Sequence, residues 1–311
     1  MTGPGRRSAP APLPDTGVGP EPVPGRLDVL VPGLARLTAP NPGVMTGPGT
    51  NTYLVGYGGP GDIVVVDPGP DEPGHLRRIT EAAESRGQQI RSVLVTHGHP
   101  DHAPGAPALA SMTGATLVAH GPTEDLVPDV AAEDGWSLDA DSFRVSALHT
   151  PGHASDHLCY VVDLEDSTRV VLSGDHVMDR VTVVIAPPDG DMTAYLQSLE
   201  RLLVLEPGAS AIAPGHGRLL RDPDAVVRAI VAHRLAREAV VADALGAAGP
   251  ASVDELVPAV YGDVDPALHP VARESLWAHL LKLVAEGRAA EVAPDADGGA
   301  PRFRSIESIR T

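Results

Sequence analysis

The sequence is poor in cysteine and in long apolar stretches. Cys159 is the only cysteine, which excludes an intrachain disulfide and fits a reducing compartment. No run of about 18 apolar residues occurs, as a transmembrane helix would require. No apolar segment follows Arg6 and Arg7, as a secretory signal would require. We therefore expect a cytoplasmic protein with no membrane partner.

Positive charge is also scarce. The formal net charge is -18, and Lys282 is the only lysine. Residues 221–311 hold 10 Lys+Arg and 14 Asp+Glu, so most of the negative charge lies in the preceding part of the chain. Tight, salt-dependent binding of nucleic acid draws on clustered basic side chains. The charge distribution is therefore unfavourable for a nucleic-acid-binding surface.

Apolar residues are frequent enough for a hydrophobic core, at 42% of the chain with a mean hydropathy of -0.01. The length of 311 residues allows one large domain and one smaller domain. Residues 1–25 are rich in Pro and Gly and are predicted to be a disordered leader. We expect a large domain over residues 26–221 and a C-terminal domain over residues 222–311.

In the larger domain, β-branched apolar runs alternate with helical patterns, and most runs end at Gly, Pro or Asp. This alternation predicts a layered α/β protein whose strands lead into polar loops and whose helices lie outside. The predicted strands are 51–55, 63–66, 92–95, 116–119, 143–148, 158–162 and 170–173, and the predicted helices are 72–85, 103–111 and 191–205.

The C-terminal part has a different pattern. Three helices are predicted, over 225–244, 252–260 and 272–286, and Ser252 with Glu255 forms a capping-box pattern at the start of the second. Two short strands, 288–292 and 302–306, then flank the turn-forming residues 295–299. This order is typical of a winged-helix-like α+β domain. No basic recognition helix is present, which favours a substrate cap or a contact in a homodimer over DNA binding.

A dense group of ligand-type side chains follows one of the predicted strands. In VLVTHGHPDHA, residues 93–103, His97 and His99 alternate and would lie on one side of a continued strand. A glycine and a proline then bend the chain, so that Asp101 and His102 approach the same space from the start of the next helix. Two sets of ligands at one loop indicate two metal ions.

Three further ligand-type residues end later strands. They are His153 in LHTPGHASDH, Asp175 in VVLSGD and His216 in IAPGHG. The two oxygens of the Asp175 carboxylate could bridge two ions. Histidine and aspartate ligands favour Zn²⁺, two per chain, and are also compatible with Mn²⁺ or Fe.

The run from Thr96 to His102, THGHPDH, resembles the complete T-H-x-H-x-D-H signature of the metallo-β-lactamase fold superfamily, and the three later ligands match as well. The resemblance covers roughly residues 27–220 and implies an αββα sandwich with the site along one edge of the two sheets. It implies that a first zinc is held by His97, His99 and His153 and a second by Asp101, His102 and His216. It also implies that Asp175 bridges the two ions, and that Asp67 supports the histidine loop without being a ligand.

Two divalent ions roughly 3.5–4 Å apart can share a water, hold it as hydroxide and polarise a scissile carbonyl or phosphoryl oxygen. We therefore predict a binuclear hydrolase that uses a metal-bridging hydroxide. Asp101 is predicted to orient the hydroxide as well as bind metal, and His176 is the candidate proton donor to the leaving group.

Further residues indicate which group within the superfamily the chain resembles. Asp175 stands where the best-known zinc β-lactamases carry a cysteine, and the second-site ligands resemble those of glyoxalase II and RNase Z, which argues against an antibiotic as the main substrate. Residues 41–46 and 49–54, with His233-Arg234 and Arg237-Glu238, resemble the β-lactamase-like protein 2 group. That resemblance implies one of two activities: selective endonucleolytic cleavage of single-stranded RNA or, as in related fungal proteins, hydrolysis of thioesters of carrier-bound polyketides.

Three functions stay open on the sequence. Hydrolysis of an acyl ester or thioester is favoured by the acidic composition. Cleavage of single-stranded RNA is favoured by the group resemblance and opposed by the shortage of basic residues. A non-catalytic binding module is disfavoured because no ligand position is lost, and the same ligands would also suit iron in a redox variant.

Overall fold

Two seven-stranded sheets face each other in the larger part of the molecule, in a computed structural model that describes residues 9–292 and 301–306. The first sheet contains, in spatial order, β2 (Leu27–Val31), β3 (Gly33–Thr38), β4 (Asn51–Tyr57), β5 (Ile63–Val66), β6 (Ile90–Leu94), β7 (Thr116–Ala119) and β8 (Val130–Ala131). The second contains, in spatial order, β1 (Gly17–Val18), β14 (Leu219–Arg221), β13 (Ala211–Pro214), β12 (Arg169–Gly174), β11 (Leu158–Leu164), β10 (Phe143–His149) and β9 (Ser137–Asp139). Neighbours from β5 to β8 are parallel, so their carboxyl ends meet at one edge of the sheet.

Helices cover the outer face of each sheet. Helices α1 (Pro73–Glu84) and α2 (Gly105–Thr113) pack on the first sheet, and α3 (Met192–Leu203) packs on the second together with the start of α4 (Pro223–Ala248). Apolar side chains of both sheets, among them Leu34, Val66, Tyr160 and Leu172, fill the space between them. Strand β4 is buried along its whole length because it is covered on both faces. The predicted αββα sandwich is confirmed.

The expectation of a disordered leader was wrong for residues 9–25, the part of it that the structure describes. Strand β1 pairs antiparallel with β14. Leu13 packs against the outer layer of the second sheet, and Asp15 forms an ion pair with Arg218. Because the pairing involves two residues and a partner about 200 positions away in sequence, local composition gave no sign of it. Residues 1–8 lie outside the described residues.

The C-terminal domain follows the predicted order of three helices and a terminal β-ribbon. After α4 come β15 (Ala251–Ser252), α5 (Val253–Val260), a 3-10 turn (Pro266–Leu268), α6 (His269–Ala285), β16 (Ala289–Val292) and β17 (Arg302–Ser305). The sheet order is β15-β17-β16. The capping box is present: Ser252 N donates to Glu255 Oε2 at 2.8 Å, and Glu255 N donates to Ser252 Oγ at 3.3 Å. The predicted turn over 295–299 lies outside the described residues.

Helix α4 belongs to both parts of the molecule. Its first turns place Val226, Val227 and Ile230 in the core on the second sheet, whereas Val241 and Leu245 lie in the core of the C-terminal domain. The predicted division at residue 222 therefore falls at the start of one continuous helix that connects two cores. Among the described residues, no helix is both long enough and apolar enough to cross a bilayer.

A buried carboxylate joins the elements of the C-terminal domain. Burial raises the pKa of Glu238, but the polar contacts with His279, Lys282 and Arg288 outweigh it and lower the pKa from 4.5 to about 2. The Lys282 and Arg288 nitrogens lie 2.9 Å and 2.6 Å from its two oxygens. A carboxyl group with a lowered pKa in the folded state stabilises above its unfolded pKa, and that stabilisation is lost as the pH falls through its folded pKa.

We expect Glu238→Gln to lower the free energy of unfolding of the C-terminal domain by about 2 kcal/mol at pH 7, since charged hydrogen bonds are lost. The difference from wild type should shrink as the pH falls from 4.5 to about 2, where Glu238 takes up its proton. Trp277 fluorescence in a Trp136→Phe background reports on this domain. Glu291→Gln, an exposed carboxylate on β16, is the control, and a pH-independent difference would contradict the expectation.

Candidate metal centre

The histidine motif lies in a loop at the edge of the sandwich. Strand β6 ends at Leu94, so His97 and His99 do not continue it as predicted. Val95 N still donates to Val118 O of β7, but at the following residue Asp67 takes the place of a strand partner: Thr96 N donates to Asp67 Oδ1 at 2.8 Å. Asp101 and His102 lie in a turn ahead of α2 rather than inside that helix.

Three histidines form the first cluster. His97 Nε2 and His153 Nε2 lie 3.0 Å and 2.9 Å from His99 Nδ1. His97 and His99 come from the loop after β6, whereas His153 comes from the loop after β10 in the other sheet. The three residues predicted for a first metal are therefore brought together.

Four residues form the second cluster, namely Asp101, His102, Asp175 and His216. Asp101 Oδ2 lies 3.0 Å from His216 Nε2 and 3.3 Å from His102 Nε2. Asp175 follows β12, and His216 occupies the turn between β13 and β14. The turn that carries His216 is held by the first sheet, because Asn51 Nδ2 and Tyr53 Oη both donate to Pro214 O.

Asp175 lies between the two clusters. Its Oδ1 is 3.4 Å from His102 Nε2 and 3.5 Å from His216 Nε2, and its Oδ2 is 3.8 Å from His153 Nε2. One carboxylate oxygen thus faces each group of ligands. This placement fits the bridging position that the resemblance implied.

The outer nitrogens of four histidines are fixed by hydrogen bonds. His153 Nδ1 donates to Val184 O at 2.7 Å, and His216 Nδ1 donates to Gly49 O at 3.2 Å. His102 Nδ1 donates to Asp67 Oδ2 at 2.8 Å, and His97 Nδ1 lies 3.0 Å from Thr96 Oγ1. With the proton on Nδ1, each Nε2 directs its lone pair into the site, as a metal ligand requires.

The polar atoms at the centre fit divalent cations. His102 Nε2, His216 Nε2 and Asp175 Oδ1 are buried and have no hydrogen-bond partner. Burial opposes the charged form of His102, but Asp175 and Asp67 prevail and raise its pKa well above 6.5. Burial likewise raises the pKa of Asp175, but His102 outweighs it and holds that pKa well below its ordinary range. Positive charge is therefore stabilised where the ligand atoms converge.

Asp67 and His157 support the ligands from behind. Asp67 also accepts from Thr96 Oγ1 at 2.7 Å, so one carboxylate holds both the histidine loop and the His102 ring. His157 Nε2 accepts from the Asp175 backbone N at 3.2 Å, and its Nδ1 lies 2.9 Å from Thr150 Oγ1. This role of His157 was not predicted from the sequence, because a supporting residue has no characteristic spacing from the ligand it orients.

His176 does not reach the site. Its side chain is fully buried with its ring 5.0 Å from that of Tyr195, and neither ring nitrogen has a hydrogen-bond partner. Burial lowers the pKa of His176 from 6.5 to about 3. The structure therefore argues against His176 as the proton donor, since a buried, neutral imidazole that does not line the cleft cannot give a proton to a leaving group there.

Comparison with known proteins agrees with this geometry. The model of the metallo-β-lactamase superfamily matches residues 45–216, a span that contains every residue of both clusters. The chain belongs to the metallo-β-lactamase superfamily. The predicted hydrolase class is confirmed by this membership, and residues 252–297 match the β-lactamase-associated winged helix domain.

Similar superfamily members include an atrochrysone carboxyl ACP thioesterase from Aspergillus chevalieri, 30% identical over 289 residues that cover 88% of this chain and 87% of that protein. A β-lactamase-like protein 2 homolog from Drosophila melanogaster is 28% identical over 282 residues, covering 83% of this chain and 92% of that one. The crystal structure of a β-lactamase domain protein from Burkholderia ambifaria has a TM-score of 0.75 at 22% identity, with 95% and 97% of the two chains covered, and shows the shared fold.

In this superfamily member, the two ligand clusters open on a cleft of about 550 Å³ between the two domains. One end is lined by ligand residues of both clusters, among them His99 and Asp175. The lining also includes residues of the C-terminal domain, among them Tyr261, Val264 and Ser275. Most of the remaining lining is apolar, namely Val44, Met45, Met178, Val181, Val183, Val184, Ala186, Val264, Leu268, Val271 and Ala272.

Proposed function

We propose that the protein is a metal-dependent thioesterase that hydrolyses acyl thioesters in the cleft between its two domains. The observation that carries the proposal is the cleft itself, in which two ligand clusters lie at one end of mostly apolar walls. An acyl chain is the part of a substrate that such walls would bind. The name of the Aspergillus relative, a thioesterase acting on a carrier protein, supports the same chemistry.

The rim of the cleft adds to this argument. Val44, Met45 and Val181 are more than half exposed there, and Leu268 is partly exposed. Exposed apolar groups around an opening are typical of surfaces that bind a ligand or a partner. A polyanion would gain nothing from them, whereas an acyl group entering the cleft would cover them.

We propose that two Zn²⁺ occupy the centre, held by the two clusters with Asp175 between them. When bound, such ions supply Lewis-acid polarisation of the substrate carbonyl and an activated water. Asp101 has its side chain about a quarter exposed and lines the cleft, so it is the carboxylate placed to orient a water. Asp67 and His157 keep the ligands in place during this step.

A thiolate leaving group is compatible with the absence of His176 from the cleft. A thiol has a pKa of about 8.5, so a thiolate leaves with little help from a proton donor. An alkoxide leaving group has a far greater need for general acid catalysis. The burial of His176 away from the cleft is therefore no obstacle to thioester hydrolysis.

Cleavage of single-stranded RNA is the second candidate. It is supported by the winged-helix match and by the likeness to a β-lactamase-like protein 2 homolog. It is opposed by the net charge of -18 and by Asp189, a further carboxylate in the cleft lining. Away from the cleft wall that carries Arg234 and Arg237, the phosphates of a long RNA would approach this negative charge at an electrostatic cost.

The deciding experiment compares both substrates with the same protein. Zinc-loaded protein, its chelator-treated form and the reloaded form are each given an uncharged N-acetylcysteamine thioester and a labelled single-stranded RNA, and metal content is measured in each sample. We expect two zinc ions per chain and thioester hydrolysis that is lost on chelation and restored on reloading. RNA cleavage with an untouched thioester would overturn the proposal in favour of the second candidate.

A further inference from the structure

Arg234 lies in the wall of the cleft with no counter-charge. Its side chain is buried, with a residue exposure of 3%, and its Nε has no hydrogen-bond partner. One Nη donates to Val183 O, and the guanidinium carbon lies 5.3 Å from the Tyr195 ring centroid. Within residues 9–292 and 301–306, no carboxylate lies within ion-pair distance of it.

The neighbouring cations of the same region are all paired. Arg237 Nη1 and Nη2 each lie 2.8 Å from an oxygen of Asp263, and Lys282 and Arg288 share the buried Glu238. A buried guanidinium without a carboxylate is costly, because its desolvation is not offset by an opposite charge. Among the buried arginines of the described residues, Arg36 and Arg237 have carboxylate partners and Arg234 has none.

The position of Arg234 connects it to the metal centre. It donates to the carbonyl of Val183, and His153 donates to the carbonyl of the next residue, Val184. The Arg234 guanidinium and a histidine of the first cluster therefore bind adjacent carbonyl groups, those of Val183 and Val184, in the cleft wall. His233, the preceding residue, also lines the cleft, and its buried Nδ1 has no hydrogen-bond partner. Two adjacent residues that line the cleft thus carry polar atoms without a hydrogen-bond partner.

We propose that Arg234 is an anion-binding subsite, which takes a carboxylate or phosphate group of the substrate whose thioester lies at the metal centre. Guanidinium groups bind both anions with strong, directional hydrogen bonds. The inference rests on the proposed function and narrows it, since the preferred substrates are thioesters that carry a negative charge. The anion has two sources, the far end of the acyl group or the phosphates of the carrier thiol.

Two pairs of thioester substrates distinguish an anion on the acyl group from an anion on the carrier thiol. The first pair shares the N-acetylcysteamine thiol and differs in an acyl group that ends in a carboxylate or in its carboxamide. The second pair shares a neutral acyl group and differs in the thiol, which is coenzyme A or N-acetylcysteamine. The quantity compared is the ratio of kcat/KM for the charged and uncharged member of each pair. Because it is a ratio, a general loss of activity does not affect it.

We expect wild type to prefer the charged member of one pair at least about tenfold, and Arg234→Gln to bring that ratio close to one. Arg234→Lys should retain part of the preference. Arg228→Gln, on the same helix with an exposed side chain, removes the same charge and should leave the ratio as in wild type. The pair that shows the effect identifies the source of the anion. If the kcat/KM ratio in Arg234→Gln equals that of wild type, the proposal is overturned. Arg234 would then serve only to support the segment around Val183.

A binding experiment keeps this inference separate from the proposed function. Calorimetry with zinc-loaded protein compares hexanesulfonate, which carries an anion with weak affinity for zinc, with the uncharged hexyl methyl sulfone. Weaker hexanesulfonate binding in Arg234→Gln, by about tenfold, would support the subsite even where no thioester is hydrolysed. Equal binding of both compounds by wild type would count against it.

Discussion

Replacing Asp175 by Asn is expected to lower kcat/KM for a thioester on the order of 10³-fold, the scale of loss seen when charge stabilisation at a reacting centre is removed. The amide keeps the shape of the side chain but loses the negative charge that faces both clusters, at 3.4 Å from His102 Nε2 and 3.8 Å from His153 Nε2. We expect the zinc content to fall from two ions per chain to about one. Steady-state kinetics and elemental analysis of the same sample measure the two effects.

Asp189→Asn is the matched control for this variant. Asp189 lines the same cleft but belongs to neither cluster, and the amide oxygen of Asn can still accept the hydrogen bond from Ser155 N. Its effect should be much smaller than that of Asp175→Asn, because Asp189 is not a member of either ligand cluster and accepts a hydrogen bond from Ser155 N rather than from a ligand. An Asp175→Asn protein that keeps two metals and nearly full activity would refute the bridging assignment.

Gly152→Ala is expected to lower the free energy of unfolding by more than about 4 kcal/mol or to prevent folding altogether. Gly152 has φ +140°, and a Cβ atom there would lie 2.3 Å from Tyr195 Cα and 2.4 Å from Tyr195 N. The clash is with the backbone of α3, which cannot rotate away. Because Gly152 precedes His153, any shift of the loop also displaces a ligand of the first cluster.

Gly246→Ala provides the control of opposite sign. Gly246 lies inside α4, and a Cβ atom there would meet no other atom within 4 Å. Alanine is favoured over glycine in a helix by about 0.8–1 kcal/mol, so this variant should be slightly more stable than wild type. Chemical denaturation followed by circular dichroism compares both variants. A Gly152→Ala protein with wild-type stability would mean that the loop does not pack against α3 as described.

The ligand set was readable from the sequence because metal chemistry restricts both residue type and spacing. His97, His99, Asp101 and His102 lie within six positions and follow an apolar strand, a pattern that few other functions need. Strand predictions such as 63–66 and 116–119 were also accurate, since each is a short apolar run closed by turn residues. In these cases local sequence and tertiary structure agree.

The features that sequence reasoning missed depend on distant partners. His176 follows a ligand directly, and only the packing of α3 shows that its ring is enclosed beside Tyr195. Strand β1 exists because β14 offers an edge to it. The lack of a partner for Arg234 is a property of the assembled cleft, and the pattern His233-Arg234 served in the sequence only as a family resemblance. Burial and pairing of this kind are decided by tertiary contacts.

The ligands of both clusters come from both sheets, with His97 and Asp101 on the side of the first sheet and His153 and His216 on the side of the second. An ion bound here is therefore a cross-link between two halves of the protein that are far apart in sequence. Ligand binding adds to folding stability in proportion to the logarithm of ligand concentration, about 2.7 kcal/mol at 100 times the dissociation constant. The supply of metal in the cell would thus govern how long each copy of the chain escapes proteolysis, as well as whether it turns over substrate.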